Sequence, residues 1–258
     1  MATTYLDNIL ARHRAMAESD DRPIDMLLEQ ARLMPPARGF RAALDDRSQL
    51  AVIAEIKRRS PSKGDLNIGL DPAEWAAAYE AGGACCLSVL TDVDSFGGSI
   101  DDLQAARSAC SLPVIRKDFT VSERDVIDAR LMGADCVLLI AAALEPAELA
   151  RFHALGVEIG LDVLVEIHDE RELEIALAGD ATLIGVNQRD LVTFEVDHER
   201  AIRMGGAIPD HAVKVAESGV RGSDDARRLE AAGYDAVLVG ETLVTADDPS
   251  EALASLIG

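Results

Sequence analysis

Polar residues stand near the ends of several apolar runs, and their types suit proton transfer. The six residues are Glu55, Lys57, Lys117, Glu166, Asn187 and Glu217. Glu55 and Lys57 are two positions apart, so on a strand both side chains point to the same face. An ammonium and a carboxylate that share a pocket can donate and accept protons during a reaction. A structural ion cluster is the alternative, although burying unpaired charges is costly.

Apolar runs of strand length recur along the chain, with amphipathic segments between them. The eight predicted strands are Leu50–Ile56, Ala84–Leu90, Pro113–Phe119, Cys136–Ala142, Asp162–Ile167, Leu183–Asn187, Lys214–Ser218 and Ala236–Gly240. Their continuous, β-branched character is typical of parallel strands that are covered on both faces. Amphipathic segments that begin with capping residues predict helices at Asp71–Ala81, Ser122–Met132, Asp169–Ala178 and Ser223–Ala232.

Eight strands alternating with helices predict an α/β protein, a single closed (β/α)8 barrel of the TIM-barrel class over residues 50–258. Residues 1–45 precede it as an N-terminal helical extension, with one or two helices expected at Leu6–Glu18 and Ile24–Met34. An open doubly wound sheet is the competitor, but the pattern G-x-G-x-x-G is absent after the first strand. Barrel active sites are built at the carboxyl ends of the strands, where the six polar residues lie.

Glycines follow the seventh and eighth predicted strands, in the pairs Ser218-Gly219 and Gly240-Glu241. At such turns, backbone N–H groups can approach an anion closely, and the start of a helix adds a favourable dipole. Barrel enzymes frequently bind phosphate after these two strands. We therefore expect a phosphate site here, although a turn can need glycine for its own conformation.

A loop rich in Ser, Pro and Lys follows the first predicted strand, from Arg59 to Gly64. It brings the hydroxyl of Ser60 and the ammonium of Lys63 close in sequence to Glu55 and Lys57. This neighbourhood favours a mobile lid over the site. An ordinary strand–helix connection, punctuated by proline and glycine, is the alternative.

The charge balance is strongly acidic, since 46 Asp and Glu residues against 25 Lys and Arg give a net charge of −21. No basic run is longer than Lys57-Arg58-Arg59, so the sequence argues against nucleic-acid binding. The four lysines are Lys57, Lys63, Lys117 and Lys214, of which the first three fall in the expected site. A surface that uses Asp, Glu and Arg but avoids Lys indicates adaptation to high salt. Lys214 receives no role.

The sequence lacks the patterns typical of metal-binding, membrane and secreted proteins. Cys85, Cys86, Cys110 and Cys136 form no C-x-x-C pair and predict buried, reduced thiols. The five histidines lack zinc-site spacing, so no metal is expected. Uncharged apolar runs fall short of the roughly 18–20 residues that span a bilayer, and the N-terminus lacks signal-peptide order. We expect a cytoplasmic protein without membrane contact.

Long motifs resemble those of the indole-3-glycerol phosphate synthase family. In family order they are AEIKRRSPSKG, CLSVLTD, SFGGS, PVIRKDF, LVEIHDE, IGVNQRDL, FEVD, VAESGV and AVLVGE. The match extends from about Ala51 to Gly240 and so covers most of the chain. The resemblance implies a carbon–carbon lyase of tryptophan biosynthesis. Its substrate would be 1-(2-carboxyphenylamino)-1-deoxyribulose 5-phosphate, and its products indole-3-glycerol phosphate, carbon dioxide and water, with no cofactor.

The resemblance also implies roles for individual residues, with Lys117 as general acid, Glu166 as acid/base and Lys57 as a second essential lysine paired with Glu55. Catalytic residues on this basis are Lys117, Glu166, Lys57, Glu55 and Asn187. Expected substrate-binding residues are Ser60, Phe96, Phe119, Arg189 and Glu217. Expected phosphate-binding residues are Ser218, Gly219, Gly240 and Glu241. Phe96 and Phe119, with Pro61, Leu138 and Ile140, are candidates either for holding the anthranilate ring or for core packing.

Two positions depart from the family pattern, namely Gln188 in place of a common Asn and Glu241 in place of a Ser found in some members. A carboxylate beside phosphate would repel it, so we expect Glu241 to offer only its backbone N–H. Which lysine protonates which oxygen stays open.

Two other functions also stay open. A sugar-phosphate isomerase of the same pathway would share the barrel and the phosphate turns, but it would lack the Glu55/Lys57 pair and the SPSKG loop. A binding-only barrel would be expected to have lost Lys117 or Glu166, and both are present. The expected partner is a small anionic sugar phosphate, and association with other tryptophan-pathway enzymes is a further possibility.

Overall fold

Eight parallel strands close into a barrel in the computed structural model, which describes residues 4–45 and 49–257. In chain order, β1 to β8 are Ala51–Ile56, Cys86–Leu90, Val114–Lys117, Cys136–Ile140, Asp162–Ile167, Leu183–Asn187, Val213–Glu217 and Ala236–Val239. Each strand pairs with the next, and β8 pairs with β1 through Ala51 opposite Ala236. The predicted (β/α)8 barrel is confirmed. Residues 1–3, 46–48 and 258 of the expected single domain lie outside the described residues.

Strand residues are buried on both faces because each strand separates two apolar layers. On β1, Ala51 and Ile53 point into the barrel, where they pack with residues such as Leu164 and Val215. The alternate residues of β1, beginning with Val52, pack instead against the helices outside. This double burial is why the strands have continuous apolar sequences rather than an alternating pattern.

Helices surround the barrel and follow the strands in alternation. Those after β1 are α4 to α13, in order Pro72–Ala81, Val93–Phe96, Ile100–Ala109, Glu123–Met132, Pro146–Glu158, Glu170–Ala178, His198–Gly205, Ser223–Ala231, Glu241–Val244 and Pro249–Ile257. The side chains of Asp71, Ser122 and Asp169 accept N–H groups of the first turns, as predicted. The predicted cap Ser223 is wrong. Gly222 precedes the helix there and has no side chain to offer.

Several strands are shorter than predicted, each for a local reason. The third begins at Val114 because Pro113 has no N–H for the ladder, and it ends at Lys117 rather than Phe119. The seventh is shifted to Val213–Glu217, since Ser218 takes a left-handed backbone with φ of 67°. The fourth ends at Ile140, where Ala141–Ala143 form a 3-10 turn. The fifth and sixth strands match their predicted bounds.

Three helices precede the barrel, one more than expected: α1 (Tyr5–Ser19), α2 (Ile24–Leu33) and α3 (Phe40–Asp45). The third has six residues, too few for a periodic apolar signal. Phe40 and Leu44 of α3 are fully buried in the same cluster as the barrel interior. The backbone N–H of Arg41 donates to Asp162 at the start of β5, 2.8 Å away. The helix α3 therefore closes the end of the barrel where the strands begin.

Lys214, without an expected role, has a structural one. Its Nζ is buried and donates to the carbonyl of Gly205 at the end of α10, over 3.2 Å. A cation at a helix carboxyl end satisfies unpaired carbonyls and the helix dipole.

Within the described ranges, no helix has the length and apolar character to cross a membrane.

Phe40→Ala should destabilise the barrel strongly, because it leaves a cavity at the closed end. We expect a loss of about 3–5 kcal/mol in unfolding free energy. Thermal unfolding followed by circular dichroism measures this loss. A change in thermal midpoint of less than about 2 °C would contradict the role of α3 as a plug. The turnover number below the unfolding transition should stay unchanged, since the opposite end carries the candidate site.

Candidate active site

A cavity of about 700 Å³ opens at the carboxyl ends of the barrel strands, which we call the mouth. All fourteen residues expected to be catalytic, substrate-binding or phosphate-binding line it: Glu55, Lys57, Ser60, Phe96, Lys117, Phe119, Glu166, Asn187, Arg189, Glu217, Ser218, Gly219, Gly240 and Glu241. The apolar candidates Pro61, Leu138 and Ile140 line it too. Glu55 and Glu241, which are 186 positions apart in the chain, thus line the same cavity, because the carboxyl ends of the parallel strands meet at one rim.

The centre of the mouth is an ammonium group between two carboxylates. Lys117 Nζ donates to Glu166 Oε2 at 2.8 Å and to Glu217 Oε2 at 2.9 Å. Asn187 Nδ2 donates to the other oxygen of Glu166 at 2.9 Å. Strand register produces this contact, since Asn187 lies opposite Glu217 and Gly185 lies opposite Glu166.

One oxygen of Glu217 has no hydrogen-bond partner although it is buried. It fills the space above Gly185, where a Cβ would collide with Glu217 Oε1. Gly185 is therefore required for the position of this carboxylate. A buried acceptor without a donor is costly for an anion, but it suits a neutral acid that can donate a proton itself.

The two carboxylates are consequently unequal. Burial would raise the pKa of Glu166, but the charges of Lys117 and His168 and hydrogen bonds from Lys117 and Asn187 lower it to about 2. Burial raises the pKa of Glu217 to about 7, against the charge of Lys117 and with added repulsion from Glu166 and Glu55. Burial opposes the charge on Lys117, yet the carboxylates around it raise its pKa. The mouth therefore holds a charged lysine, a fixed carboxylate and a carboxyl group that titrates near neutrality.

A second ion pair joins Lys57 and Glu55, whose Nζ and Oε1 atoms are 2.7 Å apart, which confirms that both side chains face the same way. Ser88 Oγ, on the neighbouring strand, donates to Glu55 Oε2 at 3.3 Å. A Cβ on Gly240 would collide with the Glu55 carboxylate and lie 2.9 Å from Lys57 Nζ. Glycine at 240 is thus needed by the ion pair itself.

The turn after β7 has an unusual backbone. Ser218 and Gly219 both have positive φ, 67° and 77°, and Ser218 is one of few such non-glycine residues. Gln188 Nε2 donates to the Ser218 carbonyl at 2.7 Å, so the residue that departs from the family pattern fixes this turn. Thr242 Oγ1 donates to the carbonyl of Val220 at 2.7 Å and ties the turn to the one after β8. Strain of this kind clusters at functional sites.

The carboxylate of Glu241 faces two cations at the rim. Its oxygens lie 3.7 Å from Lys63 Nζ and 3.7 Å from Arg189 Nη2. The side chain therefore pairs with two positive groups at the rim of the mouth. That Glu241 offers a phosphate only its backbone N–H stays a prediction.

The loop after β1 forms a two-stranded hairpin, Arg59–Ser60 with Gly64–Asp65. The base of the hairpin is fixed by Arg58, whose guanidinium contacts Asp102 and donates to the carbonyls of Gly97 and Leu70. Ser60, in the first strand of the hairpin, is buried. The expected mobility of this loop stays a prediction.

An aromatic wall lies across the mouth from the glycine turns. The ring centroids of Phe96 and Phe119 are 6.4 Å apart, and His13 of α1 packs 5.5 Å from Phe119. Within the described chain, one cluster is close enough to share a metal, namely His13, Asp92 and Asp118. Arg12 already pairs with Asp92, and Arg116 with Asp118. We interpret this cluster as an ion-pair network that holds α1 against the mouth.

Sequence reasoning missed two histidines. His198 lines the cavity beside Gly219, where its ring would lie 3.1 Å from an added Cβ. His168 lies outside the lining, with Nε2 3.7 Å from Glu166 Oε1. The signal for His168 was its spacing, two positions after Glu166, whereas His198 begins a helix and carried no signal.

Glu217→Gln should stabilise the fold at pH 8 but change it little at pH 5. The pKa of Glu217 is about 7 in the folded protein against an ordinary value of 4.5, so folding is weakened as the pH rises through this window. Removing the titration should gain up to about 3 kcal/mol at pH 8, the free energy of a shift of that size, and so raise the thermal midpoint by several degrees. Midpoints at the two pH values, compared with wild type, measure it. A lower midpoint at pH 8 would show that Glu217 is stabilising as an anion.

Comparisons with known proteins identify the family of this chain. The family model for indole-3-glycerol phosphate synthase matches residues 6–256. Indole-3-glycerol phosphate synthase 2 of Streptomyces coelicolor is 51% identical, over 98% of this chain and 100% of its own. The enzyme of that name from Arthrobacter sp. is 50% identical, over 97% and 94%, and that from Bordetella pertussis 48%, over 90% and 89%.

Solved structures show the same barrel at low sequence identity. Thiamine phosphate pyrophosphorylase from Pyrococcus furiosus superposes with a TM-score of 0.59 at 16% identity, covering 81% of this chain and 93% of its own. A native KDPGal structure gives 0.56 at 16% identity, covering 81% and 94%. These two likenesses concern the fold alone. From the family match and its relatives, the chain belongs to the indole-3-glycerol phosphate synthase family, the carboxy-lyases of tryptophan biosynthesis.

Proposed function

We propose that this chain converts 1-(2-carboxyphenylamino)-1-deoxyribulose 5-phosphate into indole-3-glycerol phosphate, carbon dioxide and water. The single observation that carries the proposal is Lys117 Nζ, held at 2.8 and 2.9 Å by Glu166 and Glu217 inside the cavity. An ammonium poised between an anion and a neutral acid suits a reaction with several proton transfers.

The substrate fits the cavity by chemistry at both ends. Its phosphate would lie at the turns Ser218-Gly219 and Gly240-Glu241, of which the first has positive φ and the second precedes the short helix α12. Its anthranilate ring would lie on the wall of Phe96 and Phe119. The ribulose carbons then lie between these ends, above the lysines.

Ring closure is the first step. Lys117 gives a proton to the ketone oxygen while the aromatic carbon that bears the carboxylate attacks the carbonyl carbon. A new carbon–carbon bond and a hydroxyl form, the lysine becomes neutral, and the ring nitrogen becomes an iminium. The anion of Glu166 stabilises this positive charge from inside the mouth.

Decarboxylation and dehydration complete the sequence. The bond to the carboxylate breaks, carbon dioxide leaves, and its electron pair neutralises the iminium. The hydroxyl then departs as water with a proton from an acid. Glu217 and Lys57, which line the cavity, are the candidates for this acid. A base takes the remaining ring proton, and the indole forms. No external oxidant or reductant enters this balance.

Lys117→Met and Glu166→Gln should each lower kcat by 10²-fold or more, about the contribution of one acid–base group. Fluorescence of the indole product measures turnover, and circular dichroism verifies folding. Lys214→Met is the matched control, since it removes another buried lysine that does not line the cavity. A folded Lys117→Met variant with kcat within about threefold of wild type would contradict the assigned role.

Glu241→Gln should strengthen inhibition by inorganic phosphate roughly fivefold, because Lys63 and Arg189 lose their competing carboxylate. Exposed ion pairs of this kind are worth up to about 1 kcal/mol each. Glu174→Gln, an exposed residue on α9, makes the same change in net charge away from the mouth. If Glu241→Gln and Glu174→Gln give equal inhibition constants, Glu241 does not compete with the anion.

A further inference from the structure

His168 lies just behind the central carboxylate and is held by a second one. It follows β5 directly, and its side chain is 13% exposed. Its Nδ1 is 3.0 Å from Glu172 Oε2, and its backbone N–H donates to the same oxygen at 2.7 Å. Glu172 belongs to the first turn of α9. The orientation of the imidazole is therefore fixed from one side.

The other ring nitrogen is buried without a hydrogen-bond partner. It faces the carboxylate of Glu166, with Nε2 3.7 Å from Oε1. A shift of less than about 1 Å would bring the two atoms to hydrogen-bond distance. A buried N–H donor without an acceptor is energetically costly. The carboxylate of Glu166 is therefore the acceptor that we assign to this nitrogen.

We propose that Glu172, His168 and Glu166 form a carboxylate–imidazolium–carboxylate array that keeps Glu166 ionised when Lys117 gives up its proton. The inference rests on the proposed function. Once Lys117 is neutral, Glu166 loses its nearest cation at the stage when its charge must stabilise the iminium. His168 supplies a positive charge that the reaction does not consume. His168 is a positioning residue in this scheme, since it does not line the cavity.

The charged groups around His168 favour the imidazolium. Burial lowers its pKa, but the hydrogen bond to Glu172 and the charges of Glu166 and Glu172 raise it above the ordinary value. Arg200 of α10 opposes this effect, and its Nη1 donates to the carbonyl of Asn187 at 2.9 Å. Lys117 lies on the far side of Glu166. The balance favours the imidazolium form of His168, which loses its proton as the pH rises.

Profiles of kcat against pH, over about pH 5.5–9 where histidines titrate, test the array. Wild type should lose kcat on the alkaline side as His168 discharges. In Glu172→Gln this loss should move to lower pH, since the imidazolium has lost its partner. In His168→Gln, the part of the alkaline loss that comes from His168 should vanish and leave only the part that comes from Glu217, with kcat about tenfold lower at pH 7 and KM within twofold. The tenfold figure corresponds to one pKa unit of electrostatic support.

Glu174→Gln on the same helix is the matched control and should reproduce the wild-type profile. An unchanged alkaline loss in His168→Gln would overturn the proposal. So would a His168→Gln variant that is destabilised but keeps wild-type kcat below its unfolding transition, because His168 would then be structural.

A measurement without turnover separates the array from the proposed function. The imidazole of His168 is titrated by NMR, with its resonance assigned from His168→Gln. Its pKa should fall in Glu166→Gln, and an unchanged value would overturn the array. If the pKa falls but Lys117→Met and Glu166→Gln remain active, the array stands and the proposed mechanism fails.

Discussion

The ammonium of Lys117, buried between Glu166 and Glu217, is the interaction on which the rest of this site depends. Three charges in a low-dielectric space would be unfavourable unless their hydrogen bonds were satisfied. Both carboxylate oxygens of Glu166 accept hydrogen bonds, one from Lys117 and one from Asn187, whereas one oxygen of Glu217 has no hydrogen-bond partner. This asymmetry separates the pKa values of the two carboxyl groups, and such separation is how one site can hold an acid and a base together.

Small residues and buried polar ones follow from that constraint. Gly185 leaves room for Glu217, and Gly240 leaves room for the ion pair of Glu55 and Lys57. Gln188 is buried so that it can hold the Ser218 carbonyl. The barrel contributes rigidity: β5, β6 and β7 are neighbours in the sheet, so the relative positions of their terminal side chains are set by strand register.

Sequence patterns predicted the barrel, the six polar residues at its mouth and the two glycine turns, because strands covered on both faces have a clear apolar signal. Phe96 and Arg189 were implied by the family resemblance alone. Helix α3 was not predicted, because only two of its six residues, Phe40 and Leu44, are buried and they give no periodic apolar pattern. The ends of strands were less accurate, since proline, capping side chains and the positive φ of Ser218 act on single residues. The unpaired oxygen of Glu217 and the ion pairs of Glu241 with two cations were not predicted, because they depend on distances between side chains that sequence spacing does not give. The roles of these residues remain proposals.

A structure with an unreactive substrate analogue, in which the ketone is reduced to an alcohol, tests the central claim most directly. The account predicts Lys117 Nζ at about 2.7–3.2 Å from that hydroxyl oxygen, with the phosphate at the turns of Gly219 and Gly240. Lys57 at that oxygen, with Lys117 still bonded only to Glu166 and Glu217, would contradict it.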